Sequence, residues 1–273
     1  MKIIKTTSKL KHWLQKEQNG SIGFVPTMGA LHEGHASLLR VARAQTSNVV
    51  LSILVNPTQF GDKSDLENYP QTLAADLEIA EKEGVDVVFA PSAEDLYGGS
   101  PTATKIDWGS ITSDFEAAFR PGHFDGVVAV VDKLLTAVRP DVAFFGEKDL
   151  QQVAVIRKLA EETHPSVSIV SCDLIRDKNG LALSSRNTRI SDSGKTNALE
   201  LSKCLIRIAS SADRVSQLEI ERTNLTTNPN VELEYLNGVN EVSYSKSDLA
   251  ESWTHIIIAA EVEGVRLIDN IRL

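Results

Sequence analysis

Up to Leu174 the chain alternates short apolar runs with stretches of helical period. The runs lie at 22–25, 49–55, 85–89 and 142–145, with a less marked fifth at 167–170. Residues 49–55 are apolar except for Ser52, and a strand of that kind needs cover on both faces. Helical patterns at 36–44, 73–83, 127–138 and 150–162 supply such cover, and Gly84 and Pro140 stop the second and third of them. Strands joined through helices pair in parallel, so the expected fold class is α/β, a doubly wound, Rossmann-like parallel sheet.

Beyond Leu174 the rhythm changes. Residues 197–210 and 218–225 read as helices, and 231–236, 255–260 and 265–271 as strands with more polar faces. The expected organisation is a Rossmann-like domain at 1–174 and a smaller α+β domain at 175–273, a split that 273 residues comfortably allow. Gly98-Gly99-Ser100-Pro101 marks an exposed turn rather than a linker.

The formal net charge of -9 argues against a general nucleic-acid binder. The lysines between 9 and 16 are interrupted by Leu10, Trp13 and Leu14, the pattern of an amphipathic helix with a solvated basic side. Cys172 and Cys204 have neither metal-ligand nor disulfide-framework spacing and read as buried reduced thiols. The first residues lack the apolar stretch of a secretory leader, and no run reaches the roughly 18 apolar residues of a membrane helix. The cytoplasm is the expected location, with neither nucleic acid nor membrane as a partner.

Ligands of a doubly wound sheet bind at the carboxyl ends of its strands, and four polar clusters fall there or at the start of the second domain. P-T-M-G-A-L-H-E-G-H (26–35) leaves the first run and opens a helix whose N-terminal N–H groups and dipole suit phosphate. Gly29 and Gly34 permit close backbone approach, and His32 and His35, three apart, can face one ligand as neutral donors. A zinc site lacks a third ligand at recognisable spacing. V-N-P-T-Q-F (55–60) offers Asn56 and Gln59 as uncharged partners for hydroxyl or carboxylate oxygens, or else a plain Asn-Pro turn with Gln59 in solvent. G-E-K-D-L-Q-Q (146–152) offers Lys148 to phosphate, Asp149 to a ribose hydroxyl and Gln152 one turn into the next helix. L-S-S-R-N (183–187) combines two hydroxyls with a guanidinium, an anion clamp in principle but a common loop sequence. The turn at 119–126, with Arg120 and His123, reads equally as site or as support for the helix that follows.

In their order along the chain these motifs resemble the pantothenate synthetase family; H-x-G-H alone would mark only the wider nucleotidyltransferase superfamily. The resemblance covers 24–187. Leu150 stands where the family often has Tyr, Ala117 where Gly is usual, Gln71 where Arg is common and Asn179 where Asp is usual. The resemblance implies a ligase of the coenzyme A pathway that joins (R)-pantoate to β-alanine with ATP and Mg2+, releasing AMP and diphosphate, usually as a homodimer. It implies an ATP site formed by Met28, Gly29, Ala30, Leu31, His32, Glu33, Gly34 and His35, with Gly146, Glu147, Lys148, Asp149, Ile175, Leu183, Ser184, Ser185 and Arg186. Gln59 and Gln152, with Asn56 nearby, would hold pantoate, and Gln59 would also meet β-alanine. His35, His32, Lys148 and Arg186 would carry the chemistry. Mg2+ would arrive mainly on the ATP phosphates, and the second domain would act as a lid. A plain nucleotidyltransferase with a phosphorylated acceptor would call for more cations than the Gln59 and Gln152 pair provides. A nucleotide sensor would not need polar residues at so many strand ends.

Overall fold

The computed structural model describes all residues except Glu17, Gln18, Asp62, Lys246 and Asp248, with the backbone alone at Lys63. The chain forms two compact units, one of residues 1–147 and 155–173, the other of 148–154 and 174–273. The division expected after residue 174 differs from this one in 148–154 and in Leu174, which group with the second unit.

The first unit is built on a six-stranded sheet of β1 (Lys2–Ile4), β2 (Ile22–Thr27), β3 (Asn48–Ile53), β4 (Val87–Phe89), β5 (Val142–Gly146) and β6 (Ser168–Cys172). The strand order is β1-β4-β3-β2-β5-β6 and every pairing is parallel. Strand β1 is the one the sequence did not announce, because three residues paired at an edge leave no period to read. The other five arise where apolar runs were found. Phe24, Val25, Val49, Val50 and Leu51 are fully buried, and consecutive residues of a strand project to opposite faces. Both faces must therefore be covered.

Helices provide the cover. Helix Glu33–Gln45 inserts Leu38, Leu39 and Ala42 among Val25, Val49, Leu51 and Phe144. A fully buried Leu or Phe of this kind contributes about 1.5–3 kcal/mol relative to an exposed one. Helix Thr7–Lys16 buries Leu10 and Trp13 and exposes Lys9, Lys11 and Lys16, the amphipathic arrangement expected of the basic stretch. Helices Leu73–Lys82, His123–Val138 and Leu150–Thr163 complete the crossovers. Both cysteines are free and buried, and burial pushes their thiols up, Cys172 to about 11 and Cys204 to about 12, which keeps them protonated and unreactive. Among the described residues no helix is long and apolar enough to cross a membrane.

The second unit is α+β. Strands β7 (Glu232–Val239), β8 (His255–Val262) and β9 (Val265–Arg272) form an antiparallel sheet in the order β7-β8-β9. Helices Asp192–Ala209 and Arg214–Thr226 share a core with it, centred on Leu205, Ile208, Leu236 and Ile258. The two helices are tied by Arg207, whose Nε and Nη2 donate to the two oxygens of buried Glu221 at 2.7 and 2.6 Å, while Gln217 donates to the same carboxylate at 2.9 Å.

The hydrogen bonds from Arg207 hold the Glu221 carboxyl below its ordinary range against the opposing effect of burial. A depressed folded-state pKa gives stability that is present above the unfolded value and is lost as pH falls through the folded value. Glu221→Gln should therefore lower stability near pH 7. With the Arg207 side chain 43% exposed, screening keeps the loss to about 1–2 kcal/mol. The difference from wild type should shrink as pH drops below the ordinary glutamate value of about 4.3. Urea unfolding followed across that range checks both the size and the direction.

Candidate active site

Strand β2 is the point where the sheet changes direction. From it the chain proceeds to β3 and β4 on one side, then returns to β5 and β6 on the other. Pairing with β3 runs the whole length of β2, from Ile22↔Asn48 to Thr27↔Ile53. Pairing with β5 stops after Gly23↔Val142 and Phe24↔Ala143. Val25, Pro26 and Thr27 thus have no ladder partners on β5, and Pro26 has no N–H to give. Such a crevice at the carboxyl ends of two diverging strands is where open α/β sheets bind ligands.

The chain leaves β2 through a tight turn. Gly29 has φ +84° and Ala30 φ +52°, both in the left-handed region. The Gly29 N–H donates to Thr27 Oγ1 at 3.2 Å, the Ala30 N–H to Asp76 Oδ2 at 3.1 Å and the Leu31 N–H to Asp76 Oδ1 at 2.8 Å. Helix Glu33–Gln45 then starts with a reciprocal cap made of two imidazoles. The Gly34 N–H donates to Nδ1 of His32 at 3.1 Å, and the His32 N–H donates to Nδ1 of His35 at 3.2 Å. Of the N–H groups expected to lie free at this helix start, that of Gly34 is taken by the His32 ring and that of His35 by the His32 carbonyl at 2.8 Å.

That correction changes the chemistry of the histidines. A ring nitrogen that accepts a hydrogen bond carries no proton, so each neutral ring holds its proton on Nε2. An imidazolium could accept at neither cap position. Each ring thus takes one backbone donor and offers an Nε2–H in its place, farther from the helix. The ring centroids lie 4.2 Å apart, tilted by 44°.

The turn after β3 is equally organised. Buried Asn56 gives its Nδ2 protons to Gln59 Oε1 and to the Gly126 carbonyl, both at 3.1 Å. Its Oδ1 accepts from the Thr58 and Tyr97 hydroxyls, both at 3.0 Å. Burial raises the Tyr97 pKa, so the phenol stays a donor. Asn56, expected among the substrate contacts, has both amide protons committed within the protein and holds the Gln59 side chain. Gln59 is 9% exposed rather than in solvent, and its Nε2 donates to the Met28 thioether at 3.2 Å. Its backbone carbonyl accepts from His123 Nδ1 at 2.9 Å. Arg120 Nη1 sits 3.0 Å from Nε2 of the same ring; a guanidinium can only donate, so Nε2 accepts and the proton is on Nδ1. The turn at 119–126, left open between site and support, holds the Gln59 backbone.

Gly146 ends β5, and the turn Glu147–Asp149 follows with Glu147 buried. Within the second unit, Lys148 lies 3.8 Å from the Asp149 carboxylate, and its carbonyl accepts from Asn270 Nδ2 at 3.1 Å. Gln152 is half-buried in helix Leu150–Thr163, while Leu150, where the family often has Tyr, is buried at 3% exposure. Ile175 and Leu183 are joined by the Leu183 N–H to Ile175 carbonyl bond at 3.0 Å. Between them Arg176 reaches both oxygens of buried Asp269 at 2.7 and 2.9 Å and the Gly180 and Asn270 carbonyls at 3.0 Å. Burial pushes the Asp269 carboxyl up and the Arg176 fork opposes it. Ser184 caps the short helix Ser185–Arg189 by accepting from the Arg186 N–H at 3.3 Å. Asn187 donates to the Ala182 carbonyl at 2.9 Å while its buried Oδ1 has no hydrogen-bond partner among the described residues.

In the first unit the structure brings together the 28–35 segment and Gln59, through Met28; the second carries Lys148, Asp149, Gln152 and the 175–186 hairpin. The sequence reading missed Asp76, Tyr97, Arg176, Asp269 and Asn270. For the two acids a signal existed. Asp76 sits one turn before buried Ala80, and Asp269 is in phase with buried Val265 and Leu267. An acid on the buried phase of its element is an unusual residue that needs partners.

The chain matches the family model described as pantoate-beta-alanine ligase over residues 2–272. It is 41% identical to the pantothenate synthetase of Bacteroides fragilis (strain YCH46), covering 100% of this chain and 99% of that one. It is 45% identical to that of Corynebacterium glutamicum (strain R), over 93% and 94%. Among solved structures, pantothenate synthetase from Thermus thermophilus superposes with a TM-score of 0.91 at 35% identity, covering 100% of this chain and 99% of that one. The Francisella tularensis pantoate-beta-alanine ligase, complexed with beta-gamma ATP and beta-alanine, gives 0.84 at 32% identity over 100% and 97%.

Gly126 tests the support of the Gln59 turn. A methyl group there would lie 2.2 Å from the Thr58 carbonyl oxygen and 2.5 Å from the Gln59 nitrogen, which are backbone atoms and cannot swing aside. Gly126→Ala should cost about 1–3 kcal/mol, the range for overpacking. Gly61→Ala, with nothing within 4 Å, should be close to neutral. Thermal melts of the two variants against wild type make the comparison.

Proposed function

The chain belongs to the pantoate-beta-alanine ligase family, and from that premise we propose that it condenses (R)-pantoate with β-alanine through a pantoyl-adenylate, consuming ATP and releasing AMP and diphosphate. The observation that carries the reading is the pair of capping imidazoles after β2, in a segment whose Met28 is reached by Gln59, the buried glutamine of the turn after β3. Two Nε2–H donors suit phosphoryl oxygens. Gln59 supplies an amide proton now spent on a thioether, a weak acceptor that a carboxylate or hydroxyl oxygen would displace. The Francisella relative complexed with beta-gamma ATP and beta-alanine supports two of these substrates, ATP and β-alanine.

The reaction has two steps. Pantoate carboxylate attacks the α-phosphorus, an acyl–phosphate bond forms and diphosphate leaves. The amine of β-alanine then attacks the acyl carbon, the amide bond forms, AMP leaves and the amine releases a proton. An anion attacking a polyanion needs charge compensation, which falls to Lys148 and Arg186, with His32 and His35 donating to the phosphoryl oxygens. Gly146, Glu147, Asp149, Ile175 and Leu183 to Ser185 complete the nucleotide contacts, while Gln59 and Gln152 fix pantoate for in-line attack. Mg2+ would be held through the ATP phosphates, as such ions usually are, and supplies Lewis-acid compensation of phosphate charge. Among the described residues no three His, Cys, Asp or Glu side chains gather as a metal cage. The same reading makes the enzyme cytoplasmic and a homodimer.

ATP–diphosphate exchange tests the assignment. Exchange that requires pantoate is expected; exchange only with a phosphorylated acceptor would replace this reading with a plain nucleotidyltransferase. His35→Ala and Lys148→Ala should each slow the first step by about 10²-fold or more, the scale for removing one stabilising donor. Single-turnover diphosphate release is the measurement, and a wild-type rate in either variant would remove that residue from the chemistry.

A further inference from the structure

The turn between β2 and the histidine cap has an anion of its own. Successive N–H groups of a backbone turned through left-handed residues converge into a concavity that binds anions. Here Ala30 and Leu31 present theirs to Asp76, not to an open space. Asp76 is 1% exposed and also accepts from Thr72 Oγ1 at 3.1 Å, so its carboxylate has three donors. Gly29 fits the arrangement closely, because a Cβ at that position would lie 2.9 Å from Asp76 Oδ2 and 3.1 Å from Ile53. Helix Leu73–Lys82, which carries Asp76, thereby fixes the two residues that immediately precede His32.

We infer that Asp76 is a positioning residue for the adenylation step: its carboxylate occupies the anion-binding turn at Ala30 and Leu31 and so aims the His32–His35 pair at the nucleotide. The inference rests on the function proposed above. It also assigns different work to Ala30 and Leu31, whose N–H groups serve an internal carboxylate and leave phosphate to the imidazoles. A carboxylate suits the position because it is acceptor-only at both oxygens. An amide of the same shape would turn an NH2 group toward one of the two N–H donors.

The test is Asp76→Asn in two backgrounds, read by single-turnover diphosphate release with ATP and pantoate. In the wild-type background a loss of about 10–10²-fold is expected, the scale on which a small misplacement of catalytic groups acts. In the His35→Ala background the same substitution should cost less than about threefold, because residues that act as a unit are not additive. Equal losses in both backgrounds would mark a merely structural role and overturn the inference, as would no loss in either. Should Asp76→Asn fail to fold, Gly29→Ala, which crowds the same carboxylate, is read by the same comparison with the same two outcomes. Wild-type enzyme is assayed alongside: absence of pantoate-dependent exchange there would defeat the proposed function itself, whereas normal exchange with additive losses defeats only the role of Asp76.

Discussion

Strand β2 pairs with β3 over its whole length but with β5 over only two residue pairs. This inequality places the functional end of the first unit. A strand held along its full length on both sides would bring its neighbours' carboxyl ends together and leave no crevice. Because β5 diverges after Ala143, the backbone beyond Val25 must find other partners, and side chains supply them. Thr27 Oγ1 donates to the Ser52 carbonyl at 2.7 Å and accepts from Gly29, Asp76 takes the next two N–H groups, and the imidazoles take two more. The polar wealth of the 26–35 segment and of its surroundings is in large part the accounting that an opened sheet demands.

The same accounting explains why histidine is useful as a cap. Serine or aspartate at a helix start would satisfy the N–H groups and end the matter. Imidazole accepts on one nitrogen and donates from the other, so a donor consumed at the cap reappears on the far side of the ring. The exchange also fixes the tautomer through backbone N–H groups. A cap that needs neutral rings therefore favours donors that carry no net charge, which matters in a protein whose formal charge is -9 and whose proposed ligand is a polyanion.

Most of the architecture was legible because it rests on periodicity. Residues 22–25, 49–55 and 142–145 had to be strands covered on both faces, and the long helices between strands followed from stripe and stop signals. The histidine motif and the Asn-Pro turn could be placed at strand ends for the same reason. What could not be read is of another kind. Strand β1 has three residues and one neighbour, so its existence is decided by the edge of β4 and not by its own sequence. Hydrogen-bond partnerships are non-local: nothing near Asn56 announces Gly126 or Tyr97, and nothing near Lys148 announces Asn270. The departures at Gln71 and Asn179 fall on exposed side chains, while Leu150 fills a buried position with an apolar residue in place of a phenol. None of these three substitutions touches the hydrogen bonds that shape the two turns.

The two turns of the first unit also differ in how they would receive a ligand, and the difference follows from which bonds are weak. Around Asn56 the partners are oxygens and nitrogens at ordinary distance, and the poor contact is the one between Gln59 Nε2 and the Met28 sulfur. A thioether is a weak acceptor, so an incoming oxygen would replace that contact alone and leave the remainder intact. Gln59 is held by Asn56 at its Oε1 and by His123 at its carbonyl, so its amide cannot turn away to find a substitute. A ligand that offers an oxygen there gains a hydrogen bond without the enzyme losing a comparable one, and without ordering a side chain that is already fixed. An analogue lacking that oxygen would leave Gln59 with sulfur, so selectivity for the acid substrate on the proposed reading would come from a contact the enzyme by itself makes badly.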